Sequence, residues 1–160
     1  MPFIQRILAS LVVLTGLCLP VQAAEGATVL TVEGQFDGGR RSFSLAELEA
    51  LGTQTFTTST PWHDGKVTFE GVAFARLMEV LKAQGDTAEV TALNAYSIDV
   101  PVDDLVTNKA ILALKRDGQY MPVSDKGPVF IIYPFDADPA LNTEVHYSRS
   151  VWQVRSIALR

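Results

Sequence analysis

The sequence predicts an α+β domain, a compact mixed β-sheet structure with few helices. Two observations predict it. Short runs rich in β-branched and aromatic residues, each bounded by Gly, Pro or Asp, recur through most of the 160 residues. Only two segments carry clear helical punctuation or spacing. No internal repeat, charge block or linker divides the chain, so residues 24–160 read as one domain.

Taken in order, Met1 to Ala23 read as a secretory signal. Arg6 supplies a positive start, Ile7 to Leu19 form an apolar run, and Val21-Gln22-Ala23 offers small residues for cleavage. That run is shorter than the roughly 20 residues a bilayer requires, so the mature chain is expected to keep no transmembrane segment and to reside in the periplasm. Ala27 to Val32 is a strand and Gly34 to Gly39 a turn. Ser44 begins a helix, with Glu47 completing a capping box, Leu45, Leu48 and Leu51 facing inward, and Gly52 as the stop. Thr53 to Ser59 is a strand, broken at Pro61 to Gly65 and resumed over Lys66 to Phe69. Phe69-Glu70-Gly71-Val72 leads into a second helix, where Phe74, Leu77, Met78 and Leu81 make one apolar face.

Further strands are expected at Glu89 to Leu93, Tyr96 to Val100, Ala110 to Lys115, Val129 to Tyr133 and Trp152 to Leu159. Pro101 opens a helical turn, Asp117-Gly118 makes a hairpin turn, and Asp136 to Asn142 is a loop. Val129, Ile131, Leu112, Leu114, Leu77, Leu81 and Trp152 are the expected core.

Composition excludes several chemistries. The one cysteine, Cys18, falls in the leader, so the mature chain lacks a thiolate for nucleophilic catalysis, metal ligation or disulfides. Thirteen Lys and Arg, one of them Arg6, face 18 Asp and Glu, a balance that argues against nucleic acid as a partner.

Three stretches carry a resemblance. They are Trp62 through Phe69-Glu70-Gly71-Val72-Ala73-Phe74 to Leu81, then Tyr96-Ser97-Ile98-Asp99-Val100-Pro101 through Leu112-Ala113 to Asp117-Gly118-Gln119-Tyr120-Met121-Pro122, and finally Lys126-Gly127-Pro128-Val129-Phe130-Ile131-Ile132-Tyr133-Pro134 with Arg149-Ser150-Val151-Trp152 and Ile157. In this order they resemble the molybdopterin-binding domain of the sulfite oxidase family. The resemblance implies that fold and an oxidoreductase ancestry. It also implies a molybdenum held by a cysteine shortly before the Gly-Val segment, where this chain has Thr57-Thr58-Ser59-Thr60. A hydroxyl is a poor substitute for a thiolate. Phe130 and Val151 stand where the family usually carries basic residues.

Two functional readings follow. The first is an exported, non-catalytic domain that binds a small anionic or pterin-like ligand, or a periplasmic or membrane partner protein, with no cofactor. The second is a molybdopterin oxidoreductase with non-thiolate metal ligation. The candidate binding residues are Trp62 and His63, in a loop bounded by Pro61 and Gly65, and His146, Tyr147 and Arg149 before the last strand. Trp62 would be an aromatic platform, His63 a titratable contact, and Arg149 a receptor for an anionic group. The same residues also read as a packed turn and a solvated loop. Asp136-Ala137-Asp138 reads as a turn closed by Asp side chains, and Asp103-Asp104 as carboxylates at a helix start. Ser59 lacks a nucleophile elbow and an acid partner.

Overall fold

The computed structural model describes residues 26–160, and the proposed signal with Cys18 lies outside the described residues. The strands are β1 Leu30–Glu33, β2 Arg40–Phe43, β3 Gln54–Thr60, β4 His63–Ala73, β5 Thr87–Ala92, β6 Ser97–Pro101, β7 Ile111–Arg116, β8 Gln119–Tyr120, β9 Phe130–Ile132 and β10 Val154–Leu159. The helices are α1 Leu45–Ala50, α2 Phe74–Leu81, α3 Val102–Thr107 and α4 Glu144–Arg149. This is the expected α+β class, divided into two sheets. One has the order β2-β1-β10-β5-β6, with β1 and β10 parallel. In the other, β3, β4 and β7 lie side by side, and β8 and β9 both pair with β7.

One hydrophobic cluster joins the sheets. Val32, Val90 and Ile157 enter it from the first, and Val72, Leu112 and Ile131 from the second, all fully buried. In β5 burial alternates with the pleat, so Ala88, Val90 and Ala92 face inward. Ile111 to Leu114 of β7 are all buried, which explains why that run is continuously apolar.

Local chemistry sets the helix ends. Ser44 accepts from the Glu47 backbone N–H, and the Glu47 carboxylate accepts from the Ser44 N–H at 2.8 Å, closing the predicted capping box. In α2, Phe74, Leu77 and Leu81 are buried, and Lys82 in the left-handed region ends the helix. No helix among the described residues is long and apolar enough to cross a membrane.

Several expectations are corrected. Phe69 to Val72 is not a helix entry but the end of an 11-residue strand paired on both sides, with β3 and β7. The register with β7 shifts between Glu70 and Gly71, and a Cβ at Gly71 would lie 2.1 Å from the Leu112 carbonyl oxygen. Glycine there permits a close backbone approach. The last strand starts at Val154, and Trp152 is 37% exposed instead of core. The other six expected core residues are buried. His146 to Arg149 belong to a short helix with Thr143 as its cap, where a loop was expected. The loop after Pro134 contains one helical turn, Pro139–Leu141, begun by Asp138 accepting from the Ala140 N–H.

Candidate functional site

The hairpin joining β3 to β4 pairs Thr60 with His63, which leaves Pro61 and Trp62 as a two-residue turn. The Trp62 N–H donates to Thr60 Oγ1. Its indole meets four rings edge-on: Trp152 at 5.7 Å, Phe130 at 5.8 Å, Tyr147 at 6.0 Å and Phe135 at 6.3 Å. Tilted and T-shaped contacts at these separations are the favoured geometry for aromatic pairs. Phe130 and Phe135 are buried beneath it. Trp62, Tyr147 and Trp152 instead reach the surface, where with Tyr96 they wall a groove of about 320 Å³.

Three stretches of chain meet at this groove: the Pro61-Trp62 turn, the β5–β6 connection and the passage from α4 to β10. The Tyr96 hydroxyl donates to the Ser148 carbonyl at 3.4 Å and spans two of the walls. Asn94 caps its own turn by accepting from the Tyr96 N–H. Ser150 is buried, and its hydroxyl donates to the His146 carbonyl. The Lys126 ammonium lies 5.4 Å above the Trp152 ring, a cation–π contact, and 3.8 Å from the Asp125 carboxylate. The Gln153 N–H bonds the Lys126 carbonyl and keeps these two stretches together.

The five sequence-derived candidates divide between the groove and its surroundings. Trp62 and Tyr147 line it. His63 lies beside it in a polar chain, with Arg116 donating to its Nε2 at 3.1 Å. With Nε2 accepting, the ring proton sits on Nδ1, which is 2.7 Å from Thr60 Oγ1. Burial, then the charges of Lys126 and Arg116, lowers the His63 pKa from 6.5 and favours the neutral ring. Arg116 also pairs with Asp125 at 2.5 Å.

His146 and Arg149 face away from the groove, onto Asp104 of α3. Asp104 Oδ1 accepts from His146 Nε2 at 3.2 Å and from Arg149 Nη1 at 3.1 Å, and Oδ2 accepts from the Tyr133 hydroxyl at 2.7 Å. Burial pushes this carboxyl up, but Tyr133, Arg149 and His146 outweigh it and hold the pKa below the usual 3.8. The same burial and the bond to Asp104 push the Tyr133 hydroxyl far above an ordinary tyrosine. The anion that Arg149 receives in the folded chain is therefore this internal carboxylate.

Sequence reasoning missed Tyr96 and Trp152 as groove residues. The signal was available for Tyr96: an aromatic residue two positions after Asn94, in a polar turn, has nothing local to pack on. Trp152 gave no such signal, because a tryptophan beside a strand is ordinarily buried.

The hydroxyls at the family's thiolate position are all engaged. Thr58 is fully buried, accepting from the Asp136 N–H at 3.0 Å and donating to the Ser59 carbonyl. Thr57 bonds Thr68 across the hairpin, Ser59 donates to Asp136, and Thr60 bonds His63. Among the described residues no group of three or more His, Cys, Asp or Glu side chains is arranged to hold a metal ion. The described residues therefore do not fit a thiolate-bound molybdenum.

No protein-family model matches the chain, and no curated protein matches it. Among solved structures it is similar to the crystal structure of the sulfane dehydrogenase SoxCD from Paracoccus pantotrophus, at a TM-score of 0.65 and 13% sequence identity. The similarity covers 87% of this chain and 39% of that one, so the chain spans well under half the length of its neighbour. At this identity the likeness carries the fold alone. It agrees with the sulfite oxidase-type α+β fold expected from the sequence.

Proposed function

We propose that this is an exported, non-catalytic domain whose aromatic groove binds a small planar, pterin-like ligand. The observation that carries the reading is the convergence of Trp62, Tyr96, Tyr147 and Trp152 on one groove. Planar heteroaromatic rings stack on such walls, and the groove volume is near the lower end of the range for small-molecule sites. Asn94 and Ser148 add polar groups at the margin. Lys126, in cation–π contact with Trp152, adds a positive charge behind that wall. The signal-like leader supports export to the periplasm. The engaged hydroxyls of Thr57 to Thr60 favour binding over molybdenum redox chemistry.

Both tryptophans of the chain lie on this groove, so intrinsic fluorescence reports its occupancy selectively. Titration with pterin-6-carboxylate, cross-checked by calorimetry, should give saturable quenching in the wild type. Trp62→Ala should weaken binding about five- to thirtyfold, the loss expected when a stacking wall worth about 1–2 kcal/mol is removed. Absence of binding at millimolar probe would overturn the ligand reading. Stoichiometric molybdenum in protein purified from its native host would overturn the non-catalytic one.

A further inference from the structure

Helix α4 has an unusual support. It is six residues long, none of them buried, and helices of that length do not persist alone in water. Yet it carries Tyr147 and Ser148, one wall of the groove. Thr143 caps its start, and Tyr147 packs on Trp62 and on Phe135 at 5.3 Å. Tyr96 holds the Ser148 carbonyl, and the His146 ring meets Tyr133 edge-on at 5.2 Å. The charged tie is a pair of side chains three residues apart on one helical face, His146 and Arg149, both bonded to the same Asp104 oxygen.

Asp104 is itself rigidly placed. Its side chain is 14% exposed. It takes a bond from Asn108 Nδ2 at 2.9 Å within its own helix cap and from the fully buried Tyr133. Leu105, the next residue, is fully buried and locks α3 into the core. One carboxylate thus ties α4 both to α3 and to the buried Tyr133. We propose that Asp104, which does not line the groove, is its positioning residue: by holding His146 and Arg149 it fixes α4 and sets the distance of the Tyr147 wall from Trp62. The inference rests on reading the groove as a ligand site.

Asp104→Asn keeps the shape and an acceptor but removes the charge that Arg149 neutralises. In the full chain it should accelerate amide exchange across α4 by about tenfold, the loss expected for one charge-assisted contact. Amides of β5 and β10, across the groove, should exchange as in the wild type. Affinity for pterin-6-carboxylate should fall by a similar factor with the stoichiometry unchanged. Arg149→Ala leaves Asp104 with Tyr133, Asn108 and His146, and should move both readouts in the same direction by less. It also serves if Asp104→Asn folds poorly. Unchanged α4 exchange in both variants would overturn the inference. So would faster exchange with unaltered probe affinity, because α4 would then be anchored without setting the groove. If the wild type binds no probe, the ligand reading fails separately. The anchor is then judged by α4 exchange and by acrylamide access to the two groove tryptophans, and no change in these refutes it.

Discussion

A methyl group at position 71 should be among the most damaging single additions to this chain. The Cβ of Gly71→Ala would lie 2.1 Å from the Leu112 carbonyl oxygen and 2.6 Å from the Ala113 Cα, and both are backbone atoms in the buried half of β7. To reach ordinary contact the strands must separate by about 1 Å, which stretches a spacing of about 4.8 Å beyond hydrogen-bond reach. Two ladder bonds weaken at about 1 kcal/mol each, and the strained packing adds about 1–3 kcal/mol. The sum, about 3–5 kcal/mol, is a large share of the 5–15 kcal/mol that stabilises a typical domain. For a domain of this size the thermal midpoint should fall by roughly 10–20 °C. Circular dichroism melting of the purified variant measures it. Gly118→Ala is the control, because its φ is 79° but nothing lies within 4 Å of the added carbon. There only backbone strain applies, about 1–2 kcal/mol. A Gly71→Ala midpoint within about 3 °C of the wild type would refute the steric argument.

Acidification gives a second prediction. Burial and the neighbouring cations lower the folded pKa of His63 below 6.5, so between those two values the unfolded chain binds more protons and stability falls as pH drops. Below the lowered value the dependence levels off. His63→Gln, which keeps a neutral acceptor for Arg116, should flatten the melting temperature against pH just below 6.5; an unchanged slope would show that His63 is not its source. Ser44→Ala removes the side-chain half of the capping box and should cost about 1–2 kcal/mol in urea unfolding. A loss under about 0.3 kcal/mol would mean that packing of Leu48 alone sustains α1.

Legibility followed how local each determinant is. Helix α1 could be read because Ser44 and Glu47 hold it within four residues. Helix α2 could be read because Phe74, Leu77 and Leu81 repeat its period. The segment Phe69 to Val72 misleads because it runs directly into the apolar period of α2, whereas only the pairing with β3 and β7 makes it a strand. Helix α4 was invisible, since its residues have no apolar stripe and its anchor is Asp104, far away in sequence. The same distance hid the partner of Arg149. Trp62 stood out because a proline-bounded turn exposes its second residue. The residue type of Trp152 predicts burial, and its place on the groove depends on Trp62, which meets it only after folding.

The parallel pairing of Thr31 to Glu33 with Ser156 to Ala158 has a consequence for how the molecule is made. Strand β10 sits between β1 and β5, so without it the first sheet can pair only as two separate hairpins, β1–β2 and β5–β6. During synthesis from the N-terminus the earliest strand must wait for the latest one. Such long-range closure folds slowly. The Trp152 wall of the groove is emitted at the same late moment, so the chain acquires its binding surface and its completed sheet together.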